Sequence, residues 1–330
     1  MNWRVIALVG VAVAAILIIL SLTGGSVAAV ASELYRGAFG SPRSMTGTLK
    51  EITPLLIMGL GVFIALRAGL FNIGMEGQFL AGALVAALVP LRVPGLGGAV
   101  LAVLAGTLAG MLYAFPAAWI RVKRGGHEVI TTIMLNLIAF NITEGLAAGR
   151  FKGADYEDAR TQALAESSKF MPLVHSGPFK IYPAILVGIL LVVAFWYWYR
   201  GSVKGYELRA VGAGKIAAEC AGINANAVMI RAFLVSGALG GFAGAMQVLN
   251  HEGQFYSGMS PGYGFNALGV ALLAGGNPLG LLPSALAFGF LEQGQTGLAG
   301  SPKGLPSVLL GIIIIIFAAI RYRDAKRSEA

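Results

Sequence analysis

The chain has 330 residues, of which 57% are hydrophobic and only 12% are charged. Soluble domains carry about twice that charged fraction, and a soluble fold of this length could not bury so much apolar surface. The net charge of +9 does not indicate a nucleic-acid partner, because the Lys and Arg residues lie between and beside apolar runs. We therefore predict an all-α, polytopic protein of the cell membrane, in contact with the lipid bilayer.

Apolar segments of membrane-spanning length recur along the chain. Arg4 precedes the first one, and Ala29-Val30-Ala31 resembles a signal-peptidase site. Because the apolar run is long for a signal sequence and more spans follow, we expect a retained first helix, with cleavage as the alternative. The predicted spans are about 5–24, 52–66, 69–89, 97–120, 127–147, 181–199, 227–249, 263–275, 279–292 and 304–320. Residues 1–330 are thus expected to form a single transmembrane domain of about ten helices.

The basic residues predict the orientation of these spans. Arg4, the basic break Arg121–Arg124 and the tail Arg321–Arg327 all belong on the cytoplasmic side by the positive-inside rule. With both termini cytoplasmic, the number of crossings is even, which favours two separate crossings for the short eighth and ninth spans. A re-entrant pair is the alternative, because each is short and the break at residues 275–278 is a turn signal.

Two long segments connect the spans. Segment 148–180, with five basic and four acidic residues, is predicted to lie outside as a folded cap, and segment 201–226 to be cytoplasmic. A loop that only reverses the chain needs fewer residues than 201–226, so this segment, with a possible short helix at Lys215–Ala221, indicates a docking surface. An ordinary solvated loop is the alternative. The aromatic run Trp196–Tyr199 just before it predicts an interfacial belt.

Small residues recur at helical spacing on two of the predicted spans. Gly106 and Gly110 form one such pattern, and Gly237 and Gly241 form another. Patterns of this kind allow helix backbones to approach closely, so we expect them to serve packing.

Motifs for catalysis are missing from the sequence. No Gly-rich stretch ends in the Gly-Lys-Ser/Thr of a P-loop, and neither a His-Glu-x-x-His motif nor a Gly-x-Ser-x-Gly elbow occurs. The single cysteine, Cys220, and three histidines provide no metal cage. We therefore expect a chain that is not an enzyme, with no metal or cofactor of its own.

Two stretches of sequence carry a resemblance to a known family. The segment LRAVGAGKIAAECAGINANAVMIRAFLVSGALGGFAGAMQV resembles the coupling loop and the following helix of ABC-importer permeases for monosaccharides, branched-chain amino acids and nucleosides. The segment GLFNIGMEGQFLAGA resembles the third-helix signature of these permeases, in the form associated with nucleosides. The resemblance extends over about residues 50–320.

The resemblance implies a ten-helix permease that forms the pathway for a small polar solute by ATP-driven alternating access, with nucleosides as the first choice of solute. Sugars and branched-chain amino acids are the alternatives. The implied partners are two ABC ATPase subunits, which hold ATP and Mg, a second and different permease chain, and an extracytoplasmic solute-binding protein. The residues implied to contact the ATPase are Glu207, Ala217, Ala218, Gly222 and Ile223.

Polar residues within the spans are candidates for the solute pathway. A carboxylate at membrane depth costs a few kcal/mol, so Glu76 is a functional candidate, and Asn72, four residues earlier, is predicted to share its helix face. The alternative is that Glu76 ties helices together through Arg67 or through backbone N–H groups.

A second polar line is predicted on the helix 127–147. Glu128, Thr132 and Asn136 follow at intervals of four residues, with Phe140 next. An amide and an aromatic ring suit a nucleoside base, whereas an interhelical hydrogen bond from Asn136 fits equally well.

A third cluster, at the outer end of the helix 227–249, contains His251, Glu252 and Gln254. It is predicted to form an outer gate or to contact the binding protein, with a polar membrane interface as the alternative. A self-contained transporter coupled to ions, with Glu76 and Glu128 as carriers, is the rival from another class.

Overall fold

The computed structural model describes residues 27–298, so the predicted spans 5–24 and 304–320 lie outside the described residues. The helices are α1 (Val27–Phe39), α2 (Pro42–Arg67), α3 (Met75–Leu88), α4 (Leu96–Arg124), α5 (Glu128–Ala148), α6 (Pro183–Gly201), α7 (Val203–Ala213), α8 (Lys215–Cys220), α9 (Ala225–Gln247), α10 (Tyr263–Ala274) and α11 (Leu281–Gly294). Two three-residue strands, β1 (Val174–Ser176) and β2 (Phe179–Ile181), form a small sheet. A π-helical turn at Val248–Glu252 extends α9.

Five helices among the described residues are long and apolar enough to cross a membrane. They are α2, α4, α5, α6 and α9 with its π-helical extension. Large apolar side chains stay exposed on them, such as Leu104 at 62% and Leu190 at 66%, as expected of faces that meet lipid or another subunit. By contrast, α3 and α10 have 14 and 12 residues, so they are about 21 and 18 Å long and shorter than a hydrocarbon core of about 30 Å.

Two helices extend beyond the spans that were predicted within them. The helix predicted at 52–66 begins at Pro42, where proline takes the first helical position and the Ser41 hydroxyl accepts a hydrogen bond from the Ser44 N–H at 3.0 Å. The helix α4 continues through the basic run to Arg124 and stops at Gly125, whose φ of 67° is left-handed. The helix α1 was not predicted.

The described residues divide into two compact units, 53–175 with 181–285 and 27–52 with 176–180 and 286–298. In the larger unit, α3, α4 and α9 pack through glycine. A Cβ on Gly110 would lie 2.5 Å from the Gly237 carbonyl oxygen, and one on Gly82 would lie 2.3 Å from that of Gly241. The two predicted small-residue patterns therefore face each other, and the close backbone approach is confirmed.

The smaller unit is built on α1 and the end of α11. A Cβ on Gly37 would lie 2.3 Å from the Gly294 carbonyl oxygen, and Phe39 stacks on Phe290 with ring centroids 5.6 Å apart. The Thr48 hydroxyl joins α2 to α1 by donating to the Ala38 carbonyl at 2.8 Å.

The segment after α5 is folded onto the chain that follows α9. Its backbone N–H groups donate to carbonyls there, with Thr161 bonding to Phe255 at 2.9 Å and Leu164 to Gly253 at 2.8 Å. These bonds hold the segment as a cap over the π-helical turn and the loop beyond it.

Candidate functional site

The chain between α2 and α3 is not helical. The helix α2 ends at Arg67, and residues 68–74 form turns and irregular backbone before α3 begins at Met75. The prediction of one helix over 69–89 is therefore wrong, and so is the argument that Asn72 shares a helix face with Glu76. Residues 69–82, which include the break and the first half of α3, contain four glycines, and these are the signal that could have suggested the break.

Asn72 lies in a saturated hydrogen-bond cluster. It is fully buried and exchanges two hydrogen bonds with the Gln78 amide, at 2.9 and 3.1 Å. Its amide nitrogen also donates to the Ser236 hydroxyl at 2.8 Å, and its carbonyl oxygen accepts from the Gly74 N–H at 3.0 Å. With its oxygen and both amide hydrogens engaged, Asn72 fixes the break against α9 in this conformation.

The line of residues on α5 faces α3. The Asn136 amide donates to the Ile73 carbonyl at 2.8 Å and accepts from the Gly77 N–H at 2.9 Å, so it makes the interhelical hydrogen bonds of the second alternative. The Thr132 hydroxyl bonds to the carbonyl of Glu128 on its own helix at 2.8 Å. Asn136 therefore holds the start of α3, and Thr132 packs beside it, since a Cβ on Gly74 would lie 3.1 Å from the Thr132 Cβ. A direct role of either residue in solute binding stays a prediction.

Glu76 joins the N-termini of two short helices. Its carboxylate Oε2 accepts from the Gly264 N–H at 2.6 Å, in the first turn of α10, and it also bonds to the Ser260 side chain. The Ser260 hydroxyl accepts from the Tyr263 N–H at 3.1 Å and so caps α10. The carboxylate therefore stands at the positive ends of two helix dipoles. Arg67 is not its partner, since the Arg67 guanidinium donates to the Gly275 carbonyl at 2.5 Å.

A small recess opens beside Glu76. Its volume is about 30 Å³, and its lining residues are Glu76, Leu80, Phe140, Thr143, Glu144, Phe255, Ser257, Gly258 and Ser260. The Ser257 hydroxyl donates to Glu144 Oε1 at 2.7 Å, and Phe140 is 45% exposed beside them. We call this site the Glu76 recess; it combines two carboxylates, hydroxyls and aromatic rings.

Sequence reasoning found Glu76 and Phe140 but missed Glu144, Ser257 and Ser260. Glu144 lies near the end of α5, and the rule that singles out carboxylates at membrane depth could have found it. The two serines lie in a loop with no periodic pattern, so no sequence signal pointed to them.

The predicted outer cluster lies on and after the π-helical turn. Glu252 accepts from the Gln247 amide at 3.1 Å and from the Tyr256 hydroxyl at 3.3 Å, while the His251 ring packs edge-on against Tyr182. Gln254 is half-buried. These residues hold the turn together beneath the cap, and their role as a gate or contact surface stays a prediction.

The segment predicted to be a docking loop is largely helical. It contains α7 and the short helix α8, which was predicted at Lys215–Ala221 and ends at Cys220. Glu207 on α7 forms an ion pair with Lys204 at 2.9 Å. Ala217 is exposed, but Ala218 is only 3% exposed, so of this pair only Ala217 presents a contact surface.

Gly222 and Ile223 terminate α8. The Gly222 N–H donates to the Glu219 carbonyl and the Ile223 N–H to that of Ala218, both at 3.0 Å, with φ at +81° for Gly222. These two hydrogen bonds form a Schellman motif, in which the left-handed backbone position favours glycine. Ile223 is half-buried, whereas Ile216, which was not predicted, is 77% exposed and is the apolar side chain that α8 presents outward.

The five long apolar helices among the described residues define the chain as a multi-pass membrane protein. The chain belongs to the family described as the permease component of the branched-chain amino acid transport system, which matches residues 44–318. It is therefore a permease subunit of an ABC importer, located in the cytoplasmic membrane.

Three relatives resemble the chain over most of its length. It is 33% identical to the guanosine ABC transporter permease protein NupP of Bacillus subtilis, over 98% of the chain and 94% of the relative. It is 31% identical to the glucose ABC transporter permease protein TsgB13 of Haloferax volcanii, over 82% of the chain and 75% of that relative. It is also 31% identical to the nucleoside ABC transporter permease protein NupB of Lactococcus lactis, over 88% of the chain and 83% of that relative. No solved structure gives a significant match.

Proposed function

We propose that the chain imports nucleosides. The observation that carries this proposal is the likeness to the guanosine permease NupP, which extends over 98% of the chain and 94% of that relative. The Glu76 recess supports it chemically. Carboxylates accept hydrogen bonds from sugar hydroxyls, and the exposed ring of Phe140 offers a face on which a planar base can stack.

The recess, at about 30 Å³, has room for water rather than for a nucleoside. We therefore place the solute pathway at the interface with a second, different permease chain, toward which Phe140 projects. Alternating access would widen the recess by separating the first turns of α3 and α10, which Glu76 joins.

We propose ten crossings with both termini cytoplasmic. Each short helix crosses together with its non-helical neighbour, residues 68–74 for α3 and residues 253–262 for α10. Contacts at opposite ends support this arrangement. Arg67 lies against Gly212 of the proposed cytoplasmic segment and bonds to the end of α10, whereas the cap packs on the start of the loop before α10.

The helices α7 and α8 are proposed to receive the motion of the ATPase subunits, on which ATP and Mg bind. Ile216 would be the apolar contact in a groove of the ATPase, with Ala217 beside it. Gly222 and Ile223 would act indirectly, by fixing the end of α8. A solute-binding protein is proposed to dock on the outer side, near His251 and Glu252.

Uptake by cells tests the substrate. The chain is expressed with its partner subunits in a strain that lacks nucleoside uptake, and entry of labelled guanosine is measured against unlabelled adenosine, uridine and glucose. We expect the nucleosides to compete and glucose to have no effect. Competition by glucose alone would refute the proposal and favour the glucose specificity named for TsgB13. A strain whose partner ATPase carries a disabled P-loop lysine serves as the control.

A further inference from the structure

A second recess lies on the side of the larger unit proposed to face the cytoplasm. Its volume is about 430 Å³, and it is lined by Trp196, Tyr199, Arg200, Arg209, Gly276, Asn277 and Pro278. The lining combines the last turns of α6, the middle of α7 and the turn after α10. We call it the arginine recess, and no carboxylate is among its lining residues.

The two lining guanidinium groups are held by aromatic rings rather than by acids. Arg200 lies over the Trp196 ring at 5.4 Å and Arg209 over the Tyr199 ring at 5.1 Å. Within residues 27–298, neither forms an ion pair, and the buried Nη1 of Arg209 has no hydrogen-bond partner. Stacking on a ring fixes the orientation of each guanidinium plane and leaves the N–H groups at its accessible edge free to bind an anion.

A third guanidinium lies close by. The Arg67 Nη2 is 3.9 Å from the position that a Cβ on Gly276 would occupy, and the buried Nε of Arg67 has no hydrogen-bond partner among the described residues. Three like charges converging on one turn repel each other, and a buried N–H without an acceptor is costly. A phosphate group in the recess would offset the repulsion, because it carries the opposite charge and its oxygens accept N–H bonds from the accessible edges of the two lining guanidinium groups.

We propose that the arginine recess binds the phosphate of an anionic phospholipid from the cytoplasmic leaflet. A lipid is favoured over a free anion because the recess is lined by Trp196 and Tyr199 of the aromatic run, and the exposed apolar side chains of Val193 and Ile189 lie three and seven residues before Trp196, on the same face of α6. The guanidinium groups would contact the lipid headgroup, and the neighbouring apolar side chains of α6 would contact its acyl chains. The inference rests on the topology given under the proposed function.

The arginine recess lies next to the segment that is proposed to receive the motion of the ATPase subunits. Arg209 belongs to α7, in the segment proposed to receive the ATPase, and Arg67 ends α2 immediately before the break that leads to Glu76. A bound phosphate would therefore hold the proposed coupling segment against the end of α2 and against the turn that follows α10.

Lipid binding is tested on the purified full-length chain with the subunits that accompany it. Native mass spectrometry counts retained phosphatidylglycerol, and thermal unfolding is followed during titration with phosphatidylglycerol, phosphatidylcholine or inorganic phosphate. The test variant is the double substitution Arg200→Gln with Arg209→Gln. The matched control is Arg124→Gln, since Arg124 also ends a long helix and lies over an aromatic ring, that of Trp119, at 5.8 Å.

We expect phosphatidylglycerol to be retained and to stabilise the wild type and the control. In the double variant its apparent affinity should fall about tenfold or more, as for the loss of one or more charge-assisted hydrogen bonds. Unchanged retention in the double variant would overturn the proposal. Equal stabilisation by inorganic phosphate would overturn the lipid assignment. The assay does not use uptake, so a failed nucleoside assay leaves its result standing.

Discussion

Replacing Gly110 by alanine tests whether the approach of α4 to α9 holds the larger unit together. The new Cβ would lie 2.5 Å from the Gly237 carbonyl oxygen and 2.5 Å from both the Cα and N of Gly241. All three atoms belong to backbone, so no side chain can rotate away, and the helices must separate by about 1 Å to restore ordinary contact. Overpacking of this kind costs about 1–3 kcal/mol.

The assay is thermal unfolding of the purified protein in a mild detergent, with Gly97→Ala as the matched control. Gly97 lies on the same helix, and a Cβ there would meet nothing within 4 Å. We expect Gly110→Ala to unfold several degrees below the wild type, while Gly97→Ala stays level or rises slightly, because alanine favours the helix. Equal unfolding temperatures for the two variants would refute the packing argument.

Three further predictions concern the candidate site and the coupling segment. Glu76→Gln keeps an acceptor for the Gly264 N–H but removes the charge, so we expect uptake to fall about tenfold or more at normal membrane levels; unchanged uptake would mean that Glu76 only caps α10. Asn136→Ala should lower the free energy of unfolding by about 1–2 kcal/mol, whereas Asn141→Ala, whose amide bonds only within its own helix, should not; equal unfolding curves would exclude the interhelical role. Ile216→Asp should abolish uptake without changing the unfolding temperature, since the side chain is exposed, and full uptake would remove α8 from the coupling role.

Some features of the fold were predictable because they depend on hydropathy alone. The helices α5 and α10 lie within one residue of their predicted bounds, and α8 within one residue at its end. The break at residues 68–74 was not predicted, because its residues are as apolar as a helix and only their glycines differ. Hydropathy reports the surrounding medium, and the medium does not decide whether the backbone is helical.

The pairing of the small-residue patterns shows the same limit. Spacing identified Gly110 and Gly237 as interface residues, but spacing does not say which helix meets which. That choice is made by the fit of whole helix surfaces, in which Gly110 of α4 lies against the Gly237 carbonyl of α9 and Gly106 lies against the Gly82 carbonyl of α3.

The sequence by itself determined the class of protein, the main spans and the family, since these follow from composition, apolar length and local motifs. Only the tertiary structure decided what the polar residues do. Glu76 meets Gly264, and Asn72 meets Ser236, across 188 and 164 positions of sequence. A buried polar group must find a partner wherever the packed helices bring one, so its role depends on distant parts of the chain and not on its neighbours in sequence.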